Sequence, residues 1–586
     1  MTRSSNGAPT RRIWREAVAV AIFSIALGFL FTYPLMTSLT VASGFRDWDY
    51  FEASAWVPYV ALRHFRQFPL WNPYKCGGLP AFGNPQSRIV TPFLLLHLMV
   101  GPLVGLYLEV PLHFAIAWAG GYVLARVLGI GRIGAFGAAT AFPASSWYAL
   151  HATAGHAQVL SFAWMPWVLA LTLLAARLRA LHYCALAGAA LALTFFESQG
   201  YSTAYTLLVM ATVMPAIALT QRSKWPLVTS GVTLALGAGL IAIKLLPAVD
   251  FMRAHPRPMY LESNSYRLLS QILFSRNQDF QLRPGYWEFG AYIGIFVVPA
   301  VVGAISVIDA TPWMITALLV LLIWRGAPGG LWPWALLHHL PVFSSMRLPS
   351  RAVIPFTLSI GVLAGFGLER MKNRIRYGHA IAIALIVVAA LDCLIVGTPN
   401  YRYVVSDPES EVRNLPDGGF HQVFQVIPNH EFKYALHDSG AISCYEPVQW
   451  QTSVKGYDQD GYLGEQYMVG AGNVRPKRWS PTELAYEVDT SAPSDLVINQ
   501  NYDRAWRVVE GTGKVFEFPG STPNIRHEAN LPGLLAVHVA AGSQHIRLCY
   551  RPKSFVAGAA ISLSTLLICI GIWLVPRHHS GFGRFR

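Results

Sequence analysis

The chain has 586 residues, 53% of them hydrophobic and only 13% charged, with a formal net charge of +14. Soluble domains carry about 25% charged residues, so this composition excludes an ordinary soluble protein; with repeated apolar runs of about 20 residues it implies a polytopic membrane protein. The basic excess does not point to nucleic acid, because much of the Lys and Arg sits in short loops and at the termini, where it orients helices.

Arg3, Arg11, Arg12 and Arg15 precede an apolar run that reaches about Val41. The run is too long for a signal peptide and has no clear cleavage site, so it reads as a retained helix with a cytoplasmic start. Further candidate spans are 106–128, 133–150, 157–176, 182–197, 202–220, 227–249, 289–308, 311–325, 352–369, 378–397 and 555–575. The stretch 89–105 is also apolar, but it is short and carries Pro92 and Pro102. If it does not cross, the basic clusters at Arg126/Arg132, Arg177/Arg179, Arg222/Lys224, Arg370–Arg376 and Arg577–Arg586 all lie in the cytoplasm. The expectation is therefore about 12 crossings, an interfacial or re-entrant 89–105, and both termini inside.

This threading places 42–105, the His151–Gln158 turn, Glu197–Tyr201, 250–288 and 326–351 on the outer face. The polar segment 398–553 joins them. Alternating runs such as "SDLVINQNY" and "LLAVHVAAGSQHIRLCY", separated by Gly/Pro turns, predict an extracytoplasmic all-β sandwich-like domain. Three regions follow: a transmembrane domain over residues 1–397 with first outer loop 42–105, a β-rich domain 398–553, and a last helix with basic tail 554–586. Cys444 and Cys549 both fall in the β-rich domain and are compatible with a disulfide or with two free thiols.

Chemistry-bearing residues collect on the same outer face. "GFRDWDYFEASAWVPY" sets Asp47 and Asp49 among Trp48, Tyr50 and Trp56. His151 and His156 flank "HATAGH"; Glu197 and Gln199 stand in "FFESQGYS"; Arg347 and Arg351 stand in "LPVFSSMRLPSR"; Glu288 opens a span, and Glu262 and Arg267 lie in the long loop. A single loop aspartate is usually a solvated helix cap, and a single interfacial arginine often only reaches for headgroups. Their convergence favours a site. Two guanidiniums suit a donor phosphate, a carboxylate suits general-base work on a hydroxyl, and Trp48, Tyr50, Trp71 and Asn72 suit a sugar. No Walker loop, GxGxxG or HExxH motif is present. A site on this face needs a membrane-borne activated donor, for which a polyprenyl-phosphate sugar is the evident class. No residue is assigned as a metal ligand; two spaced carboxylates allow a divalent metal, and nothing in the sequence requires one.

"FPLWNPYKCGGLPAFGNPQSRIVTP" resembles the hallmark segment of YfhO-type bacterial membrane proteins. "LPVFSSMRLPSRAVIPFTLSIGVLAGFGLE" resembles that family's Arg-x-Pro-x-Arg helix start, and "EFGAYIGIFVVP" its Tyr-Ile-Gly span. "YDRAWRVVEG" and the strands that run into the last helix are also similar. The resemblance covers nearly the whole chain. It implies a GT-C-type glycosyltransferase fold in the bacterial inner membrane, with an acidic residue of the first outer loop as base, a role that falls on Asp47 or Asp49. Where relatives often carry Gly-His-x-Gln, this chain has Glu197-Ser198-Gln199.

The leading expectation is an inverting transfer of a sugar from a polyprenyl-phosphate donor to an envelope glycan, polymer or lipid acceptor on the periplasmic side. Asp47 or Asp49 acts as base, and Arg347 and Arg351 bind the departing phosphate. A flippase or transporter of lipid-linked sugar is the alternative, followed by an envelope-assembly protein without catalysis.

Overall fold

The structure is a computed structural model, and it describes residues 8–37, 47–198, 200–257, 261–404, 418–424, 431–443, 446, 452–519 and 533–574. Among these, eight helices are long and apolar enough to cross a bilayer; they include Trp14–Met36, Pro102–Val127, Trp225–Ala254, Pro349–Arg374 and Lys553–Leu574. The chain is a multi-pass membrane protein.

The remaining expected crossings fall on shorter or broken helices. Ile295–Ala304 and Ile308–Trp324 meet at 118°, so 289–325 is a sharply bent pair. The region 133–150 breaks between helices Arg132–Ala144 and Ser146–Thr153. His182–Phe196 has 15 residues, about 22 Å of helix against a hydrocarbon core of about 30 Å. Phe93–Val100 is shorter still, at eight residues. After it the chain turns at Gly101 and immediately enters the helix Pro102–Val127.

The two ends of the helical bundle differ in chemistry. At one end, Glu16 accepts hydrogen bonds from Arg126 (3.2 Å), Arg132 (2.5 Å) and Tyr122 (2.8 Å). Glu369, which pairs with Lys372, packs against Gly131 there. The other end carries the β-rich region and the Asp47–Arg63 helix.

The β-rich region contains two four-stranded antiparallel sheets. One runs in the order Gly513–Phe518, Leu534–Val539, Ser494–Asn501, Gln466–Val469; the other runs Gly472–Ser480, Glu483–Thr490, Gly542–Tyr550, Trp506–Glu510. Side chains alternate along each strand, so Leu484, Tyr486 and Val488 of one sheet meet Leu496, Ile498, Leu535 and Val537 of the other in one core.

A hairpin from the first loop enters that core. Trp71–Asn72 pairs with Leu79–Pro80, and the Trp71 ring packs between Trp506 (5.6 Å) and Tyr550 (4.8 Å). Its indole N–H donates to Gln500 Oε1 at 2.8 Å. Gly78, at φ +98°, passes so close that a Cβ would stand 2.8 Å from the Trp71 ring, which no L side chain tolerates. Asn501 clamps the turn, donating from Nδ2 to the carbonyls of Cys76 (2.7 Å) and Gly78 (2.8 Å). On the other side, Cys76 and Tyr74 exchange backbone hydrogen bonds with Ala441, extending the small parallel sheet His421–Val423/Ser439–Ala441. Cys76 is disulfide-bonded, and Cys549 is a free thiol, which rules out the Cys549 half of the expected pair; Cys444 lies outside the described residues.

Candidate functional site

Asp47 opens the Asp47–Arg63 helix. The turn that carries His151 and His156 packs directly on this helix start. Gly155, at φ +81°, makes the approach possible, since a Cβ there would lie 2.3 Å from the Trp48 backbone nitrogen. The Trp48 indole N–H donates to the Thr153 carbonyl at 3.2 Å and locks the two elements together. As a result His156 Nε2 stands 3.2 Å from Asp47 Oδ2, whose side chain remains 27% exposed.

Behind this pair the site continues inward. His156 Nδ1 lies 2.7 Å from His151 Nδ1, and both rings are buried. Glu288 Oε1 is 3.7 Å from His156 Nδ1. Arg351 grips Glu288 with a fork, Nε at 2.8 Å and Nη2 at 2.7 Å. Burial pushes the Glu288 carboxyl up, but Arg351 and the two histidines outweigh it and hold the group well below the usual carboxylate range. The Arg351 guanidinium in turn lies 4.5 Å over the Tyr201 ring, and the Tyr201 hydroxyl accepts the Arg347 backbone N–H at 3.1 Å.

Arg347 differs from Arg351. Among the described residues no carboxylate lies within ion-pair distance of it, and its buried Nε has no hydrogen-bond partner. Glu262 belongs to the same electrostatic neighbourhood. Burial, with help from Glu288, raises its carboxyl above the ordinary value against the pull of Arg347 and Arg351. Arg267 is exposed on the long loop.

The structure thus brings together Asp47, His151, His156, Glu288, Arg347 and Arg351, which are far apart in the sequence. The other expected residues lie elsewhere. Asp49 is buried and accepts the backbone N–H groups of Glu431 (2.9 Å) and Phe432 (3.0 Å), capping the helix Glu431–Leu436 from outside its own chain segment. Trp48 is 4% exposed and stacks on Tyr107 at 4.8 Å, so its face is not open to a sugar. Tyr50 lies beneath Lys75, whose Nζ is 3.4 Å from the ring centroid. Trp71 is the sandwich plug, and Asn72 Oδ1 accepts the Tyr74 N–H at 2.9 Å inside the hairpin. Glu197 accepts from Thr91 (2.7 Å) and Trp164 (2.9 Å) and lies 2.8 Å from His113 Nε2, a complete internal set. Gln199 lies outside the described residues.

Sequence reasoning misses two buried polar groups. Glu109 pairs with Arg88 and with His97 (2.7 Å), next to the Glu197 set. Lys75 pairs with Glu431 and Glu446, each at 3.1 Å, under the β-rich region. It also misses Tyr201, the link between the two arginines. The place of Tyr201 beside "ESQG" is the available signal, but an aromatic at a helix start reads equally well as packing.

No protein-family profile matches this chain, and comparison with curated proteins finds no match. The YfhO-type resemblance therefore rests on its motifs. Solved structures of arabinofuranosyltransferase AftD from mycobacteria are among those to which this chain is similar. One has a TM-score of 0.45 at 16% identity, covering 75% of this chain and 32% of that one. A mutant form of the same enzyme gives 0.40 at 14% identity, covering 90% and 42%. This chain thus spans less than half the length of either.

Proposed function

We propose that this protein is a GT-C-like membrane glycosyltransferase that moves a sugar from a polyprenyl-phosphate donor to an envelope glycan, polymer or lipid. The observation that carries this reading is the pairing of a half-open carboxylate, Asp47 on His156, with an uncommitted guanidinium, Arg347, in one site. A carboxylate backed by an imidazole accepts a proton from a hydroxyl; a guanidinium without a counter-ion awaits an anion.

In this reading Asp47 deprotonates the acceptor hydroxyl. The hydroxyl oxygen attacks the anomeric carbon as the bond to the donor phosphate breaks, with inversion. Arg347 stabilises the charge that develops on the leaving polyprenyl phosphate. Arg351, already neutralised by Glu288, holds the wall of the site. The basic end of the bundle faces the cytoplasm by the positive-inside rule, which puts Asp47 and the β-rich domain in the periplasm.

The test is turnover by the purified chain in detergent or liposomes with polyprenyl-phosphate sugars and candidate acceptors. The native chain is expected to form product. Asp47→Asn is expected to lose about 10²–10⁴-fold in rate with donor binding retained. Full activity in Asp47→Asn removes Asp47 from the mechanism. Donor that is never consumed while lipid-linked sugar still crosses the bilayer replaces the transferase with a flippase.

A further inference from the structure

Two imidazole nitrogens facing one another at close range share either a proton or a cation. His151 Nδ1 and His156 Nδ1 are 2.7 Å apart, and Glu288 supplies a carboxylate oxygen such that all three atoms lie within 4.8 Å of one another. We propose that His151, His156 and Glu288 form a binding site for a divalent transition cation of the zinc, manganese or cobalt type.

Three features favour a cation over a shared proton. The first is the donor set itself, two imidazoles and one carboxylate, which suits borderline transition metals and disfavours magnesium and calcium. The second lies at the far side of His156. Its Nε2 stands 3.2 Å from Asp47 Oδ2, an ion-pair separation at which the carboxylate is placed to take the outer ring N–H when Nδ1 serves as the lone-pair donor to a cation. Metal-bound histidines almost always donate the outer ring N–H to a carboxylate, a backbone carbonyl or water, which fixes the tautomer and raises the basicity of the ligating nitrogen. The third is charge. The groups in ion-pair contact with the donor set are Asp47, Glu288 and Arg351, two negative against one positive, and Arg347 makes no ion pair with them, so a dication enters a locally net-negative pocket. Arg351 occupies one direction at Glu288 Oε1 (2.7 Å) and fixes the carboxylate; a carboxylate oxygen has a second lone pair for a metal.

The fit requires little movement. Tetrahedral coordination at ordinary metal–nitrogen distances separates two nitrogens by about 3.3 Å, which small rotations of the two rings supply. Three protein ligands leave a fourth position open, as in sites where a metal holds water or a substrate oxygen. The inference stands on these donors and not on the transfer reaction, and its readout is metal content.

Native chain stripped with a chelator is titrated separately with Zn²⁺, Mn²⁺ and Co²⁺. Bound metal is measured by mass spectrometry, with the melting temperature followed alongside. One saturable equivalent per chain and a raised melting temperature are expected for at least one of these ions. His151→Gln and His156→Gln are expected to lose that equivalent, and Asp47→Asn to keep it with about 10–100-fold weaker binding. If the histidine variants do not fold, paramagnetic resonance of the Cu²⁺-loaded native chain decides: coupling to two nitrogens supports the site, and coupling to none overturns it. Less than a tenth of an equivalent with all three ions and an unmoved melting curve would also overturn it, leaving the histidines as a hydrogen-bonded pair.

Discussion

Asp47 and Asp49 stand two residues apart at a helix start, and helix geometry sends such neighbours in nearly opposite directions. One reaches His156; the other caps the Glu431–Leu436 helix. The two substitutions therefore separate. Asp47→Asn leaves the melting temperature within about a degree of native while turnover falls. Asp49→Ala removes a helix cap and costs about 1–2 kcal/mol, read as a lower melting temperature with turnover per folded molecule retained. The arginines divide in the same manner. Arg347→Ala weakens donor binding and leaves stability alone. Arg351→Ala strands the buried Glu288 carboxylate and destabilises by about 3–5 kcal/mol, measured by thermal or denaturant melting. The sequence brings Asp47, His156, Glu288 and both arginines to one face through charge placement alone. It does not tell committed groups from free ones, because commitment depends on partners hundreds of positions away, as Asp49 and Glu431 show.

At the scale of elements, the turn at Gly155 and the strand that follows Glu465 make opposite demands on the chain. Gly155→Ala introduces strain at φ +81° and a Cβ that collides with the Trp48 backbone. The expected result is separation of His156 from Asp47, with turnover lost more than stability. Glu465 is a half-buried carboxyl that accepts from the Gln422 N–H (2.8 Å), the Tyr462 hydroxyl (2.9 Å) and Asn499. Burial outweighs these bonds and pushes its carboxyl up to about 7. A raised folded value means that the protonated group stabilises the fold fully below the unfolded value of about 4.3, and that this contribution fades as pH rises through about 7. Between pH 5 and 8 the native melting temperature is expected to fall relative to that of Glu465→Gln; parallel curves would refute this. The strands themselves were legible, since "SDLVINQNY" and "LLAVHVAAGSQHIRLCY" alternate as a two-sided sheet requires. The helix breaks were not legible, because apolar runs such as 133–150 read alike whether one helix or two results.

For the whole molecule, the Trp-Asn-Pro segment joins the helical bundle to the sandwich. Read from the sequence, its aromatic ring is a candidate for sugar stacking. The fold instead gives Trp71 to a core whose other members come after residue 483. Local pattern carries no trace of that contact, since Trp71 and Gln500 are 429 positions apart. Trp71→Ala is expected to cost the sandwich about 3–5 kcal/mol and to make the β-rich region the first site of limited proteolysis, with the helices left intact.

The inserted hairpin also sets a timetable. A ribosome adding about 5–20 residues per second needs roughly 20–90 s between the appearance of Trp71 and that of Gln500. Throughout that interval an indole, a glycine turn and a cysteine wait without their final neighbours, while the helices behind them are already entering the bilayer. Assembly of this protein is therefore bounded by the slow arrival of its C-terminal strands. An escort that shields the hairpin meanwhile would raise yield more than any gain in helix insertion.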